Sequence, residues 1–200
     1  MKIYKVIVGT LATNCYVVAS EKKGAFIIDP GDDAPKIREV LSAQKLEPRF
    51  IVNTHGHIDH IKANAELGLP VYVHESEEEM IACPEKNIMT TFFGTFSPVR
   101  PARLLKDADE LELDELTFKV LHTPGHTRGC ICLLGGGVLF SGDTLFRDGV
   151  GRTDLPGASH ELLLLSLEKL SGLNKDMRVY PGHGPETTIG RELGDNAKDG

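Results

Sequence analysis

Phe50-Ile51-Val52-Asn53-Thr54-His55-Gly56-His57-Ile58-Asp59-His60 is a short apolar strand that runs straight into three imidazoles and a carboxylate. Imidazole nitrogen and carboxylate oxygen are the ligands that zinc, iron and manganese accept. His55, His57, Asp59 and His60 stand at i, i+2, i+4 and i+5, a spacing that a loop can aim at common points and that no regular helix or strand can. Upstream, Ile37, Val40, Leu41 and Ala43 recur at helical spacing within 33–45, and Phe26-Ile27-Ile28 before them reads as a strand. The order is strand, helix, strand, then ligands at a strand's C-terminal end, where open α/β sheets place their sites.

Before this unit, residues 2–8, 14–19 and 24–29 read as three strands that should pair antiparallel. The third closes on Asp29-Pro30-Gly31. Asp29 is either a turn residue or a buried acceptor that orients a metal-bound histidine. After His60 a second helix is expected through Ala65 and Leu67, stopped by Gly68, then the strand Val71-Tyr72-Val73. Ser76 and Glu79 have the spacing of a capping box for a short acidic helix, and His74 reads as a structural or capping histidine. Periodicity fails over 83–103, where Met89, Phe92, Phe93 and Phe96 make a long apolar loop. It suits a site border, a core edge or a homodimer contact.

The second half repeats the logic without the residues. Strands at 111–113 and 116–121 lead to His122-Thr123-Pro124-Gly125-His126-Thr127. Alternation puts His122 on the packed face of Leu116, Phe118 and Val120, whereas His126 lies beyond a Pro-Gly turn and is the better ligand candidate. A hairpin over 131–140 ends at Ser141-Gly142-Asp143, with Gly142 allowing the backbone to crowd the site. A leucine-rich helix follows, capped by Ser159 and ended by Gly172, and the strand Met177-Arg178-Val179-Tyr180 runs into Pro181-Gly182-His183-Gly184. Each candidate ligand follows an apolar strand.

Composition narrows the function classes. The 200 residues are 40% hydrophobic, enough for one domain with a real core. Lys plus Arg number 22 against 29 Asp plus Glu, a net charge of −7 without a basic stripe, so nucleic acid is not an expected partner. The first eight residues alternate like a strand, not like a signal peptide, and no apolar stretch reaches membrane-spanning length; the expected compartment is the cytoplasm, with no membrane partner. Cys15, Cys83, Cys130 and Cys132 lack framework spacing and are expected reduced, with Cys130 and Cys132 used for packing.

The segments Thr54 to His60, Thr123-Pro124-Gly125-His126-Thr127, Ser141-Gly142-Asp143-Thr144-Leu145-Phe146 and Pro181-Gly182-His183-Gly184, in this order, resemble the motifs of metallo-β-lactamase-fold hydrolases over nearly the whole chain. Within that superfamily the chain is most similar to the small glyoxalase II-like, or hydroxyacylglutathione hydrolase-like, proteins. They share Val150-Gly151-Arg152-Thr153-Asp154-Leu155-Pro156-Gly157, and Pro181 to Pro185 followed by Thr187-Thr188-Ile189-Gly190. The resemblance implies an α/β fold, a four-layer αβ/βα sandwich, with metals at one edge between its halves. It implies two divalent ions, zinc foremost and iron or manganese as alternatives: His55, His57 and His126 on the first, Asp59, His60 and His183 on the second, Asp143 bridging. The domain is expected to span 1–200 without the C-terminal helical domain of full-length glyoxalase II. Lys62-Ala63 stand where the family commonly has glycine.

The implied activity is hydrolysis of an anionic thioester by a metal-bridging hydroxide. Two divalent ions, two carboxylates and one hydroxide leave about one positive charge to draw the substrate in. Asp59 is the candidate to orient the hydroxide, and Arg152 either binds a substrate carboxylate or pairs with Asp154. Alternatives are a persulfide dioxygenase using one iron and oxygen, a lactonase or β-lactamase, and a non-enzymatic protein with structural metal. A nuclease is disfavoured by the acidic balance.

Overall fold

Two successive strands, Thr13–Ala19 and Gly24–Ile28, are buried at every residue, which requires cover on both faces of their sheet. In the computed structural model, which describes residues 1–194, their alternate side chains divide between two cores. Cys15, Val17, Ala25 and Ile27 pack with Ile37, Leu41, Ile58 and Ile61 from helices. Tyr16, Val18, Phe26 and Ile28 pack instead with Leu111, Phe118, Val120, Ile131 and Phe140 from a second sheet.

The first sheet holds β1 (Lys2–Val8), β2 (Thr13–Ala19), β3 (Gly24–Ile28), β4 (Glu47–Val52), β5 (Val71–His74) and β6 (Arg103–Leu105) in that spatial order. Strands β1 to β3 are antiparallel, as expected, and β3 to β6 run parallel. Parallel neighbours need crossovers. These are α1 (Ala34–Gln44), then α2 (Ile58–Ile61) with α3 (Asn64–Leu67), then α4 (Glu78–Ala82) with α5 (Thr90–Phe93).

The second half supplies β7 (Glu110–Leu113), β8 (Leu116–His122), β9 (Ile131–Gly135), β10 (Val138–Gly142), a ribbon of β11 (Leu145–Phe146) and β12 (Gly149–Val150), then α6 (His160–Ser171), β13 (Arg178–Pro181), β14 (Thr187–Thr188) and α7 (Ile189–Leu193). Its sheet has the order β14-β13-β10-β9-β8-β7, with β10 and β13 parallel and the other pairs antiparallel. Its outer face packs Leu121, Leu139 and Val179 against Leu170 of α6 and Ile189 of α7. Helices, sheet, sheet, helices: the four-layer αβ/βα sandwich is what two doubly covered sheets require. Among the described residues no helix is long and apolar enough to cross a membrane.

Some local expectations are corrected. The capping box at Ser76 does not form: His74 is the cap, its Nδ1 accepting the Ser76 N–H at 3.2 Å. His122 is half-buried at the end of β8, and its ring stacks on His74 with centroids 4.1 Å apart. Strands β6, β11, β12 and β14 and helix α7 escape sequence reading because two to five residues are too few to show a period. The 83–103 segment contains α5 and ends in β6. Ser159 does cap α6, accepting the Leu162 N–H, and Gly172 ends it.

Phe26, fully buried, stacks on Phe50 at 5.3 Å and meets the edge of Phe118 across the sheets at 5.1 Å. Phe26→Ala is expected to lower unfolding stability in urea by about 3–5 kcal/mol. Leu164→Ala, on the exposed side of α6, should stay within about 0.5 kcal/mol of the parent.

Candidate metal centre

Strand β4 ends at Val52 and the chain turns through Asn53 to His57 before α2 begins, so that buried His55 and His57 sit in a loop and Asp59 and His60 on one helical turn. The turn is held by side chains. Asn53 Nδ2 donates to the His60 carbonyl at 2.9 Å, and Asn64 Nδ2 donates to Asn53 Oδ1 at 2.8 Å. Asp29, at the end of β3, accepts from the Thr54 N–H and the Thr54 hydroxyl, both at 2.7 Å, and from His60 Nδ1 at 2.9 Å. Its φ of 52° puts it in the left-handed turn region, so Asp29 is both the turn residue and the buried acceptor that local sequence offered as alternatives.

The other ligand candidates arrive from the second half. His126 follows β8, Asp143 follows β10 and His183 follows β13. Two glycines permit the close approach. Gly142 has φ 49°, and a Cβ there would lie 2.4 Å from Thr54 Oγ1; one at Gly182 would lie 2.2 Å from Asp143 Oδ1. The structure thus brings together every residue singled out as a candidate ligand. His55, His57 and His126 form one group, Asp59, His60 and His183 another, and His55, His60 and Asp143 a third between them, with ligand atoms in each group within 4.8 Å of one another. The four cysteines are free and take no part in these groups; Cys15, Cys130 and Cys132 are buried.

The outer nitrogen of each ring says which nitrogen faces inward. His60 Nδ1 meets Asp29, His126 Nδ1 meets the Arg152 carbonyl at 2.9 Å and His183 Nδ1 meets the Leu11 carbonyl at 3.1 Å. In the neutral ring, a proton directed at each of these acceptors leaves Nε2 as a lone pair pointing into the centre, the form that a metal ion takes. Arg152 therefore matters through its backbone, while its guanidinium makes a bidentate pair with Asp154 at 2.7 Å. Leu11 and Thr13, whose hydroxyl donates to Asp59 Oδ2 at 3.0 Å, gave no local signal: an apolar residue used for its carbonyl and a strand threonine look ordinary in sequence.

Electrostatics also fit a cation. His57 Nδ1 lies 3.1 Å from His55 Nε2 and 2.9 Å from His126 Nε2, an arrangement of three ring nitrogens that one proton cannot satisfy. Among the described residues Asp143 Oδ1 is buried without a hydrogen-bond partner, 3.5 Å from His60 Nε2. Burial, reinforced by neighbouring rings, holds His55 well below the ordinary imidazole range and presses His57 down to about 3. At His60 burial opposes the charge, yet Asp143, Asp59 and Asp29 outweigh it and push the ring up to about 10. Burial likewise opposes ionisation of Asp59, but His60 and His183 hold its carboxyl below the usual range. Divalent cations answer both demands: they accept neutral imidazoles and balance the carboxylates.

Asp29→Asn keeps the volume of the side chain but removes the charge and replaces one acceptor oxygen with a donor. It is expected to weaken metal retention about 10- to 100-fold in a chelator competition. Retention equal to the parent would show that Asp29 only shapes the turn.

The chain matches the metallo-β-lactamase superfamily over residues 8–183. It is 34% identical to the hydroxyacylglutathione hydrolase GloC of Haemophilus influenzae, over 98% of this chain and 97% of that protein. Among solved structures it is similar to the BLEG-1 B3 metallo-β-lactamase, with TM-score 0.92, 36% identity, and 98% of this chain and 100% of that one covered. The di-iron-bound form of TTHA1623 gives TM-score 0.82 and 38% identity over 94% and 96% of the chains. ETHE1 from Myxococcus xanthus gives 0.81 and 27% over 96% and 81%. Fold, motif order and convergent histidines and aspartates agree with the match: this chain belongs to the metallo-β-lactamase superfamily.

Proposed function

We propose that the protein hydrolyses an anionic thioester of the hydroxyacylglutathione kind at a two-metal centre. The observation that carries this reading is the meeting of two ligand triads at Asp143 on the floor of an open cleft of about 400 Å³. His55, His57 and His126 would hold one ion and Asp59, His60 and His183 the other, with Asp143 shared between them; nitrogen and oxygen donors accept zinc, iron or manganese. Bound there, such ions supply Lewis acidity, which lowers the pKa of water toward neutrality and polarises a carbonyl.

The chain's own side chains supply the rest. Asp59, steadied by the Thr13 hydroxyl, would orient the attacking water. Leu11, Met89, Phe92, Phe93 and Leu155 form an apolar wall that accommodates the acyl and thiol stems and displaces bulk water. Among the described residues that line the cleft, every titratable side chain is a candidate ligand except Arg152. No free general acid faces the leaving group. A thiol, which ionises in water near pH 8.5 or about there, departs as thiolate without one, whereas an amine or alkoxide does not. This favours a thioester over a lactam or lactone, and the identity to a hydroxyacylglutathione hydrolase supports the same choice. The similarity to a di-iron-bound protein supports the two-ion count.

Arg152 lines the cleft, and its pair with Asp154 is exposed and screened by solvent, so a substrate carboxylate displaces Asp154 at little cost. Arg152→Ala is expected to raise KM for an acyl-glutathione severalfold with kcat nearly unchanged. In the decisive assay, free thiol released from lactoylglutathione should appear with the metal-loaded protein and vanish when a chelator removes the metal. Oxygen uptake with glutathione persulfide and no thioester turnover would assign the centre to dioxygenase chemistry instead.

A further inference from the structure

One fully buried carboxylate outside the proposed ligands is aimed at the metal loops. Glu77 lies in the 3-10 turn Glu75–Glu77 that directly follows β5 and has no exposed surface. Its Oε2 accepts the Gly56 N–H at 2.8 Å, the peptide between His55 and His57. Its Oε1 accepts the Gly129 N–H at 2.7 Å, three residues past His126. One side chain thus bridges the two loops that carry His55, His57 and His126. The next peptide, between Gly56 and His57, is held as well: Asn87 Nδ2 donates to the Gly56 carbonyl at 2.7 Å, and Asn87 Oδ1 accepts from the N–H of Met89, which lines the cleft. The fit is tight. A Cβ at Gly56 would come within 2.9 Å of Glu77 Oε2, and one at Gly129 within 2.6 Å of Glu77 Cγ.

Different groups brace the second triad. Asp29 holds His60, Thr13 holds Asp59, and the Leu11 carbonyl meets His183. Asp29 also reaches the first triad, through the Thr54 hydroxyl that lies 3.2 Å from His55 Nδ1, whereas the bonds of Glu77 go to the loops of the first triad.

We infer that Glu77 is a positioning residue of the His55–His57–His126 triad, and that its loss weakens one of the two ions while sparing the other. The inference rests on the two-metal reading above. A glutamine at 77 has one acceptor oxygen where two are needed, so its NH₂ must face the N–H of Gly56 or of Gly129, donor against donor. The two loops then separate or twist, and the imidazoles they carry leave their common point. Groups that orient ligands in this way typically change metal affinity about 10- to 100-fold when altered.

The test uses the full chain loaded with excess zinc, with bound metal counted after desalting and both affinities measured by competition against a chromogenic chelator. Glu77→Gln should fall from two retained ions to about one, with a 10- to 100-fold loss for one site and under about threefold for the other. In the cobalt-substituted protein, part of the visible absorption should disappear while the remainder keeps its shape. Glu79→Gln, which removes an exposed carboxylate two residues away that pairs with Lys86, should leave both sites intact. Loss of both ions in parallel, or of neither, overturns the inference. A parent that retains fewer than two ions overturns the two-metal reading itself, a distinct result. Should Glu77→Gln fail to fold, Gly129→Ala displaces the same carboxylate and must give the same selective loss, and equal retention of both ions there overturns the inference.

Discussion

The carboxylate of Asp29 joins three parts of the chain that the rest of the centre is built around. It stands at the end of β3, and because β3 and β4 are parallel neighbours, their C-terminal ends lie side by side. Buried there, it takes the Thr54 N–H, the Thr54 hydroxyl and His60 Nδ1, so the end of β3, the loop after β4 and helix α2 are one rigid corner. Hydrogen bonds to a charged acceptor are worth about 1.5–3 kcal/mol each, which is enough to hold Asp29 in a left-handed conformation. The same charge bears on His60 and helps keep a cation at that ring.

Every other contribution to the centre is delivered to that corner. Strands β8, β10 and β13 of the second sheet present His126, Asp143 and His183 at the edge where the loops of β3 and β4 end. The inter-sheet core of Tyr16, Phe26, Phe118 and Phe140 sets how closely those edges approach. Convergence of buried imidazoles and carboxylates is unfavourable without a cation, because the rings cannot all be protonated and Asp143 Oδ1 has no donor among the described residues. The fold therefore gathers its most costly groups where metal ions can satisfy them.

Much of this was legible locally. The three antiparallel strands, α1, the strand before the histidine loop and α6 with Ser159 as its cap all lie where periodicity and capping residues put them. Alternation and the Pro124-Gly125 turn separate His126 from His122 in the sequence, and the structure leaves His122 stacked on His74, away from the ligand groups. What was illegible shares one property: its meaning depends on a distant segment. The run Glu75-Ser76-Glu77-Glu78-Glu79 looks like a solvated acidic turn, yet Glu77 is fully buried because Gly56 and Gly129 arrive from elsewhere with N–H groups to receive it. Arg152 stands out in the sequence for its charge, whereas the contact it makes to the centre is its carbonyl on His126 Nδ1.

By itself, then, the sequence determined the class of fold and the chemical identity of the donors, because strand periodicity, turn residues and ligand type are properties of a few adjacent residues. Only the tertiary structure decided how those donors are grouped, which nitrogen of each ring faces inward and which groups brace them. Those choices are made by hydrogen bonds between residues tens to more than a hundred positions apart, such as His60 with Asp29 and His183 with Leu11, and no local pattern encodes a partner at that distance.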